Sequence, residues 1–425
     1  MTPFDLLDRI GQATHDGLGI TRESYGDGES AALTLLTQEA EAMGLAAETD
    51  RAGNLWLRIA ADRRDAPAVV IGSHVDSVPQ GGNYDGLAGV VAGIAVLQAL
   101  AEDWQSLPPL RVLALRGEES AWYGRAYVGS LALLGRLPAA ALALRHRTGT
   151  GTLGEALAGC GADVAAIARG EPLLPAPVAA YLELHIEQGP VMVARHWPVA
   201  AVTGIRGNLR HNRVRCLGET GHSGAVPRWL RHDAVLAVAQ LLARMDEHWR
   251  VLLQMGMDLV MTAGIFTTPA ASHAVSVIPG EVQFSFEVRS QDAETLRRFH
   301  ALLKQECETV AAERGVRFEF DEPVASAPAT MDEGWIRRFE AAGAALGQPL
   351  ERLPSGAGHD AAVFAAAGIP SAMLFVRNAY GSHNPHEALS AEDLDAGIAV
   401  LREAIAALRA PASEVAVPPT AEALE

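Results

Sequence analysis

Cysteine is scarce in this chain: Cys160, Cys216 and Cys307 are the only three in 425 residues, and none sits in a CxxC spacing. That excludes a disulfide framework and a thiolate metal site, and leaves buried or idle thiols. Aromatic residues are few, at 5%, and no Lys/Arg cluster interleaves with them, which argues against nucleic acid as a partner. Positive charge is in deficit as well, since 34 Lys and Arg face 51 Asp and Glu for a net charge of −17. The sequence pI is near 5.3. No uncharged apolar run reaches the roughly 18 residues of a membrane span. The first residues, MTPFDLLD, lack the basic and apolar regions of a signal peptide. We therefore expect an acidic enzyme of the cytoplasm, with neither a membrane nor a nucleic acid as partner.

What the chain has in quantity is hydrophobic residues, at 49%, and a length beyond one ordinary core, so two domains are expected. The run 67–72, PAVVIG, reads as a buried strand of a parallel sheet. His74 and Asp76 then leave at its carboxyl end, where open α/β sheets bind ligands. Asp85 follows in a glycine-rich turn just before an apolar helix over 87–100. Further strands over 54–59, 110–116 and 178–184 are expected, the second ending before Glu118 and Glu119 and the third delivering His185. Residues 3–16 and 30–43 have helical spacing, the second stopping at Gly44.

The character changes near Thr203. From 204 to 324 the expected order is strand, helix, strand, strand, helix, strand, a compact α+β two-layer insertion. Its unusual polar residues are His222, between glycines, and Arg289 at a strand end. The α/β pattern then resumes with a helix over 332–346, the loop 355–360, a strand over 371–376, the turn-rich loop 381–387 and a last helix capped by Ser390. The expected fold is thus an α/β catalytic domain with a mixed, mostly parallel sheet, formed by 1–203 and 325–410. A second domain, 204–324, is inserted in it, and 411–425 reads as a frayed tail.

A hydrolytic metal centre needs imidazole and carboxylate ligands, a position open to water and a base. His74, Asp85, Glu119, His185 and His383 all fall at strand ends or in the following loops, and they converge if those strands are neighbours. Such a His and carboxylate set points to zinc, manganese or cobalt. Glu118 and Glu119 point different ways if extended, so one can bind metal while the other takes a proton from water. Each also has a plainer reading. An isolated Glu-Glu pair is as often exposed, a lone His74 is more often a hydrogen-bonded structural histidine, and His222, His359 and His386 fit loop, surface or capping roles. Asp76, two residues on, can orient the His74 ring.

Together, HVDSVPQGGNYDG at 74–86, EES at 118–120, HIEQGP at 185–190, SGAGHDA at 355–361 and SHNP at 382–385 make a more specific pattern. Over residues 5–408 the chain resembles the binuclear metal amidohydrolases, the group of N-carbamoyl-L-amino acid hydrolase, allantoate amidohydrolase and bacterial β-ureidopropionase. The resemblance implies two divalent ions, zinc first and manganese or cobalt after it. One would be held by His74, Asp85 and His185 and the other by Asp85, Glu119 and His383, with Asp85 bridging and Glu118 as general base. It implies that 204–324 is a lid and dimerisation domain, so a homodimer is expected. It gives His222 the oxyanion, and Gln188, Arg289, Gly356, Gly358 and the position of His273 the small carboxylate-bearing substrate. A histidine at 185, where related aminoacylases and carboxypeptidases carry a carboxylate, favours carbamoyl or ureido substrates over peptides.

Departures from the pattern fall on the substrate side. Family members read Pro-Asn-x-x-Asn where this chain has Ser272, His273 and Ser276, and Gly-His-Ala-Gly-Thr-Thr-Pro-Met where it has GHSGAVPR at 221–228. His386 stands at an often small position. An aminoacylase or dipeptidase is therefore the alternative enzyme, and a catalytically silent small-ligand binder the alternative from another class.

Overall fold

The structure, a computed structural model, describes residues 1–409; the tail expected at 411–425 lies outside them. The described chain divides into two compact units. One comprises Met1–Val202, Met331–Leu353 and the chain from His359, the other Thr203–Thr330 with Pro354–Gly358.

The first unit is built on a mixed sheet. Its seven main strands are β1 (Leu45–Thr49), β2 (Leu55–Ile59), β3 (Ala68–His74), β4 (Leu110–Leu115), β5 (Val178–Ile186), β6 (Val199–Ile205) and β7 (Ser371–Val376), with the short Ala329–Thr330 and Glu351–Ser355 added beside β6. The order across the sheet is β1-β2-β4-β3-β5-β7-β6. β4, β3, β5 and β7 run parallel, while β2 and β6 flank them antiparallel. β3 and β4 are buried at every residue, as continuous apolar runs covered on both faces should be. The helix Leu87–Ala99 is buried nearly all round, which marks it as a core helix rather than an amphipathic one. Because four neighbours are parallel, their carboxyl ends lie along one edge, and the loops after β3, β4 and β7 open there together with the end of β5.

Some elements differ in extent from expectation. β5 runs on to Ile186, so His185 is itself a strand residue. The helix expected from Ser30 begins at Asp27. Glu29 turns inward from its first turn, accepts the Tyr25 N–H at 2.7 Å and pairs with Arg116 at 2.5 Å.

In the second unit, Gly207–Leu217 and Glu281–Ser290 pair antiparallel. Arg317–Phe320 joins the first of these, and Val260–Thr262 and Phe266–Thr267 join the second. The second strand of the expected order, read from the sequence over 259–267, is thus two short ones. Alternate residues of Glu281–Ser290 are buried, and Val282, Phe284, Phe286 and Val288 pack with the helices Ala234–Gln254 and Ala293–Arg314, the period of two a one-sided sheet requires. Residues 325–330 stay with this unit rather than leaving it at 324, because Val324–Ser326 adds as a further strand beside Asn208–Arg210. Pro354–Gly358 also groups here, an assignment set by tertiary contact and invisible to local pattern.

Candidate metal centre

Four segments meet at the carboxyl edge of the first unit's sheet. β3 ends on His74, and the chain reaches Asp85 just before Gly86, whose φ of +66° starts the helix Leu87–Ala99. A Cβ on Gly86 would lie 2.5 Å from the His74 ring, so only glycine permits that approach. β5 supplies His185, the loop after β4 supplies Glu118 and Glu119, and the loop after β7 supplies His383.

Asp85 joins the groups. Its Oδ1 lies 3.3 Å from His74 Nε2 and 3.2 Å from His185 Nε2, and those two nitrogens are 3.5 Å apart. Its Oδ2 lies 3.4 Å from His383 Nε2, which is 3.3 Å from Glu119 Oε1. Two donor triads, His74–Asp85–His185 and Asp85–Glu119–His383, therefore share one carboxylate. Ligand atoms of a tetrahedral zinc ion are separated by about 3.3 Å, given bonds of about 2.0–2.1 Å. Both triads fit divalent ions.

The tautomers fit too. His74 Nδ1 sits 3.0 Å from the Asp76 carbonyl oxygen and His185 Nδ1 2.9 Å from that of Ile186. A carbonyl can only accept, so each ring donates from Nδ1 and presents a lone pair at Nε2, the arrangement that metal-binding imidazoles use. The Gly86 N–H, 3.1 Å from His185 Nε2, meets the same lone pair.

Electrostatics follow from burial. Burial works against charge on His74, yet the hydrogen bonds to Asp76 and Asp85 hold its ring well above the ordinary imidazole value. Burial would raise Asp85, but His185, His383 and His74 together pull it well below the carboxylate range. The hydrogen bonds to Asp85 and Glu119 push His383 up to about 10. The cluster is a concentration of negative charge that draws cations.

Glu118 stands apart from its neighbour. It is 8% exposed, and its carboxylate accepts no hydrogen bond from any described residue. Burial first, and then the charge of Glu119, raise it well above the ordinary glutamate value. A buried, basic carboxylate with no hydrogen-bond partner among the described residues, on the residue next to Glu119, is suited to hold a water. Asp76, expected to orient the His74 ring, reaches it mainly through its backbone carbonyl; its carboxylate oxygen is farther, at 3.4 Å. That carboxylate accepts the N–H groups of Glu118 and Glu119 at 3.0 Å each and the Ser24 hydroxyl at 2.6 Å, so it fixes the turn on which the acidic pair stands. Gln188, at φ +63°, donates from Nε2 to Asp85 Oδ2 at 2.7 Å.

Other buried groups escaped sequence reasoning. Glu29 accepts the Gly117 N–H at 3.0 Å and so braces the same turn from behind. Glu183 accepts from Ser73 Oγ at 2.8 Å and the Ala361 N–H at 3.0 Å. His359, read from sequence as a surface or capping residue, is the N-cap of the helix Asp360–Ala366, but it is buried with its ring edge-on to His185 at 4.4 Å. Glu387 and Ser382 contact the Asp85 loop. The signal for Glu387 was an acid four residues after His383; Glu29 and Glu183 carried none.

His222, His273, Arg289, Gly356 and Gly358 belong to the second unit. His222 is exposed, pairs in register with Val277, and accepts at Nδ1 from the N–H groups of Gly224 and Ala225 at 3.1 and 3.2 Å. Ser223 N–H donates to the Ser276 carbonyl at 2.8 Å, so the His222 loop and the loop carrying His273 are joined. Arg289 donates to the Gly356 carbonyl at 2.9 Å and to Glu287 at 3.1 Å.

Comparison with known proteins agrees with this geometry. The signature of Peptidase family M20/M25/M40 matches residues 70–407. The chain belongs to that family. It is 36% identical over 385 residues to the N-carbamoyl-L-amino acid amidohydrolase of Geobacillus stearothermophilus, covering 90% of this chain and 92% of the relative. It is 32% identical to the allantoate amidohydrolase of Bacillus subtilis, over 94% and 95% of the two chains. A solved structure of an amidase of the hydantoinase/carbamoylase family from Burkholderia multivorans superposes with a TM-score of 0.85 at 28% identity, over 96% and 97% of the chains. The M20-type fold of a catalytic unit with a second α+β unit is therefore common to this chain and its relatives.

Proposed function

We propose that this protein is a two-metal amidohydrolase of the cytoplasm that cleaves the carbamoyl or ureido C–N bond of a small carboxylate-bearing substrate, first an N-carbamoyl-L-amino acid. The observation that carries the reading is the pair of donor triads sharing Asp85, in a chain whose relatives are amidohydrolases of that class. Divalent ions there, zinc before manganese or cobalt, would supply Lewis acidity and lower the pKa of water.

The chain's own residues then have distinct work. Glu118 takes the proton of the attacking water and returns it to the leaving nitrogen as the C–N bond breaks. The amino acid departs, and the carbamate left behind decomposes to ammonia and carbon dioxide. His222 donates to the oxyanion. In support, its Nδ1 accepts two backbone N–H groups, so the ring proton is on Nε2 and free to donate. Arg289 and Gln188 bind the substrate, Arg289 at its carboxylate. The same reading makes the second unit the place where two copies of the chain pair. No described helix is long and apolar enough to cross a membrane.

His273 and Ser276, where family members carry asparagines, favour one other reading, an aminoacylase or dipeptidase with the same metals. A screen of metal-supplemented protein separates the two. Ammonia release from N-carbamoyl amino acids, allantoate or 3-ureidopropionate is expected. Amine release from N-acyl amino acids or dipeptides alone would overturn the proposal.

A further inference from the structure

The loop after β7 does more than deliver His383. Four residues on, Glu387 is 7% exposed and turned back onto the loop that carries Asp85. Its Oε1 accepts the N–H groups of Tyr84 at 2.8 Å and Asp85 at 3.1 Å. Its Oε2 lies 2.5 Å from Ser382 Oγ, and the same hydroxyl lies 2.5 Å from Asp85 Oδ2. One carboxylate thus grips the backbone of Asp85, and the Ser382 hydroxyl, whose single proton can go to either carboxylate, stands between its Oε2 and Asp85 Oδ2. Space is kept for this grip, since a Cβ on Gly82 would fall 2.2 Å from the Glu387 carboxyl carbon.

Consider what Asp85 must do. Its two oxygens face different triads, Oδ1 toward His74 and His185 and Oδ2 toward His383 and Glu119. A carboxylate shared in this way has no rotational freedom to spare: a turn about its terminal torsion improves one triad only by spoiling the other. Gln188 also donates to Oδ2, but among the described residues no hydrogen bond joins it to the backbone of the Asp85 loop. Glu387 joins the loops 81–86 and 381–387, which supply the shared carboxylate and His383, by way of the Tyr84 and Asp85 backbone N–H groups, and so helps fix their distance.

We propose that Glu387, acting through Ser382 and the Asp85 N–H, is a positioning residue that sets the orientation of the shared carboxylate and so the affinity of the centre for its second ion; this rests on the two-metal reading above. Partners behind a ligand typically change metal affinity 10–100-fold when removed. The role is made of hydrogen bonds, so a glutamine serves in place of the glutamate: its Oε1 accepts the two N–H groups, and its Nε2 donates to Ser382 Oγ, which donates on to Asp85.

The test is zinc binding by the full chain in competition with a colorimetric chelator, with unfolding of the metal-free protein followed alongside. Wild-type protein is expected to bind two ions. Glu387→Ala should weaken the second ion by about 10–100-fold, Glu387→Gln should restore it to within a few-fold, and Ser382→Ala should weaken the second ion and spare the first. A merely structural role would instead lower the unfolding transition of the metal-free Glu387→Ala protein and leave both affinities alone. That result overturns the proposal. If Glu387→Ala does not fold, Ser382→Ala decides, and wild-type affinity for both ions overturns it. Wild-type protein that binds fewer than two ions is a different failure: it removes the two-metal reading and this proposal with it.

Discussion

In the first unit, His74, Asp85 and His185 are at most 3% exposed, and each is fixed by a second group: the Asp76 carbonyl, Glu387 with Ser382, and the Ile186 carbonyl. In the second unit, His222, His273 and Ser276 stand exposed, on segments held mainly by local hydrogen bonds. The departures from the family pattern at 223, 225, 226, 228, 272, 273 and 276 fall on those segments, and the remaining one, His386, is exposed in the first unit. A buried polar cluster must satisfy every member, so a change there is costly and propagates. An exposed loop answers only to what it meets, and it can drift in sequence while the fold stands. The contrast teaches where reaction and selectivity are divided, and variants on either side of it should behave differently.

The largest effect is expected on the buried side. Glu118→Gln keeps the size and the hydrogen-bonding shape of the side chain but removes the base. Turnover should fall by about 10²–10⁴-fold, the usual worth of a positioned general base, with zinc content unchanged. Metal analysis and steady-state kinetics check both halves. Near wild-type kcat removes the base assignment; loss of zinc makes Glu118 a ligand instead.

Next is His222, an exposed residue for which a reacting role is proposed. His222→Ala should lower kcat by about 10²–10³-fold, as removal of one oxyanion donor does, and leave zinc affinity and KM nearly alone. A change in KM with kcat intact would place His222 among the groups that bind the ground state. That outcome would widen the division between the units, giving the second unit substrate binding and no chemistry.

The same contrast explains how far the sequence could be read. His74, His185, Glu118 and Glu119 follow or end strands whose apolar runs are unmistakable, so their common edge follows once the strands are parallel neighbours. Asp76 was legible as a partner of His74, but not as the acceptor for the Glu118 and Glu119 N–H groups, because β3 and β4 bring those residues together across 42 and 43 positions. Glu29 and Glu183 were not legible at all, and Glu387 only by its place four residues after His383. Each looks like an ordinary surface glutamate until tertiary packing buries it against backbone donors. The return of the chain near 330 was placed six residues early because a three-residue edge strand, Val324–Ser326, leaves little trace in composition.

The smallest effect, and the one that probes selectivity directly, is at His273. Its Nε2 lies 2.6 Å from Thr268 Oγ1 and 3.2 Å from the Thr268 carbonyl. The carbonyl can only accept, so the ring proton is on Nε2 and the neutral ring is left with a lone pair at Nδ1. An asparagine at the same place would offer both an amide donor and a carbonyl acceptor. His273→Asn should therefore shift the ratio of kcat/KM between N-carbamoyl and N-acyl substrates by about 10-fold, the lower end of what one pocket contact discriminates. The shift should run toward the substrate with more N–H and C=O groups to satisfy, the carbamoyl one. Because the residue lies in the second unit and is exposed, zinc stoichiometry and unfolding should not move. An unchanged ratio would mean that selectivity is not set at 273. A changed stoichiometry would mean that the exposed loop is coupled to the buried centre, and that reaction and selectivity are less separate than their burial implies.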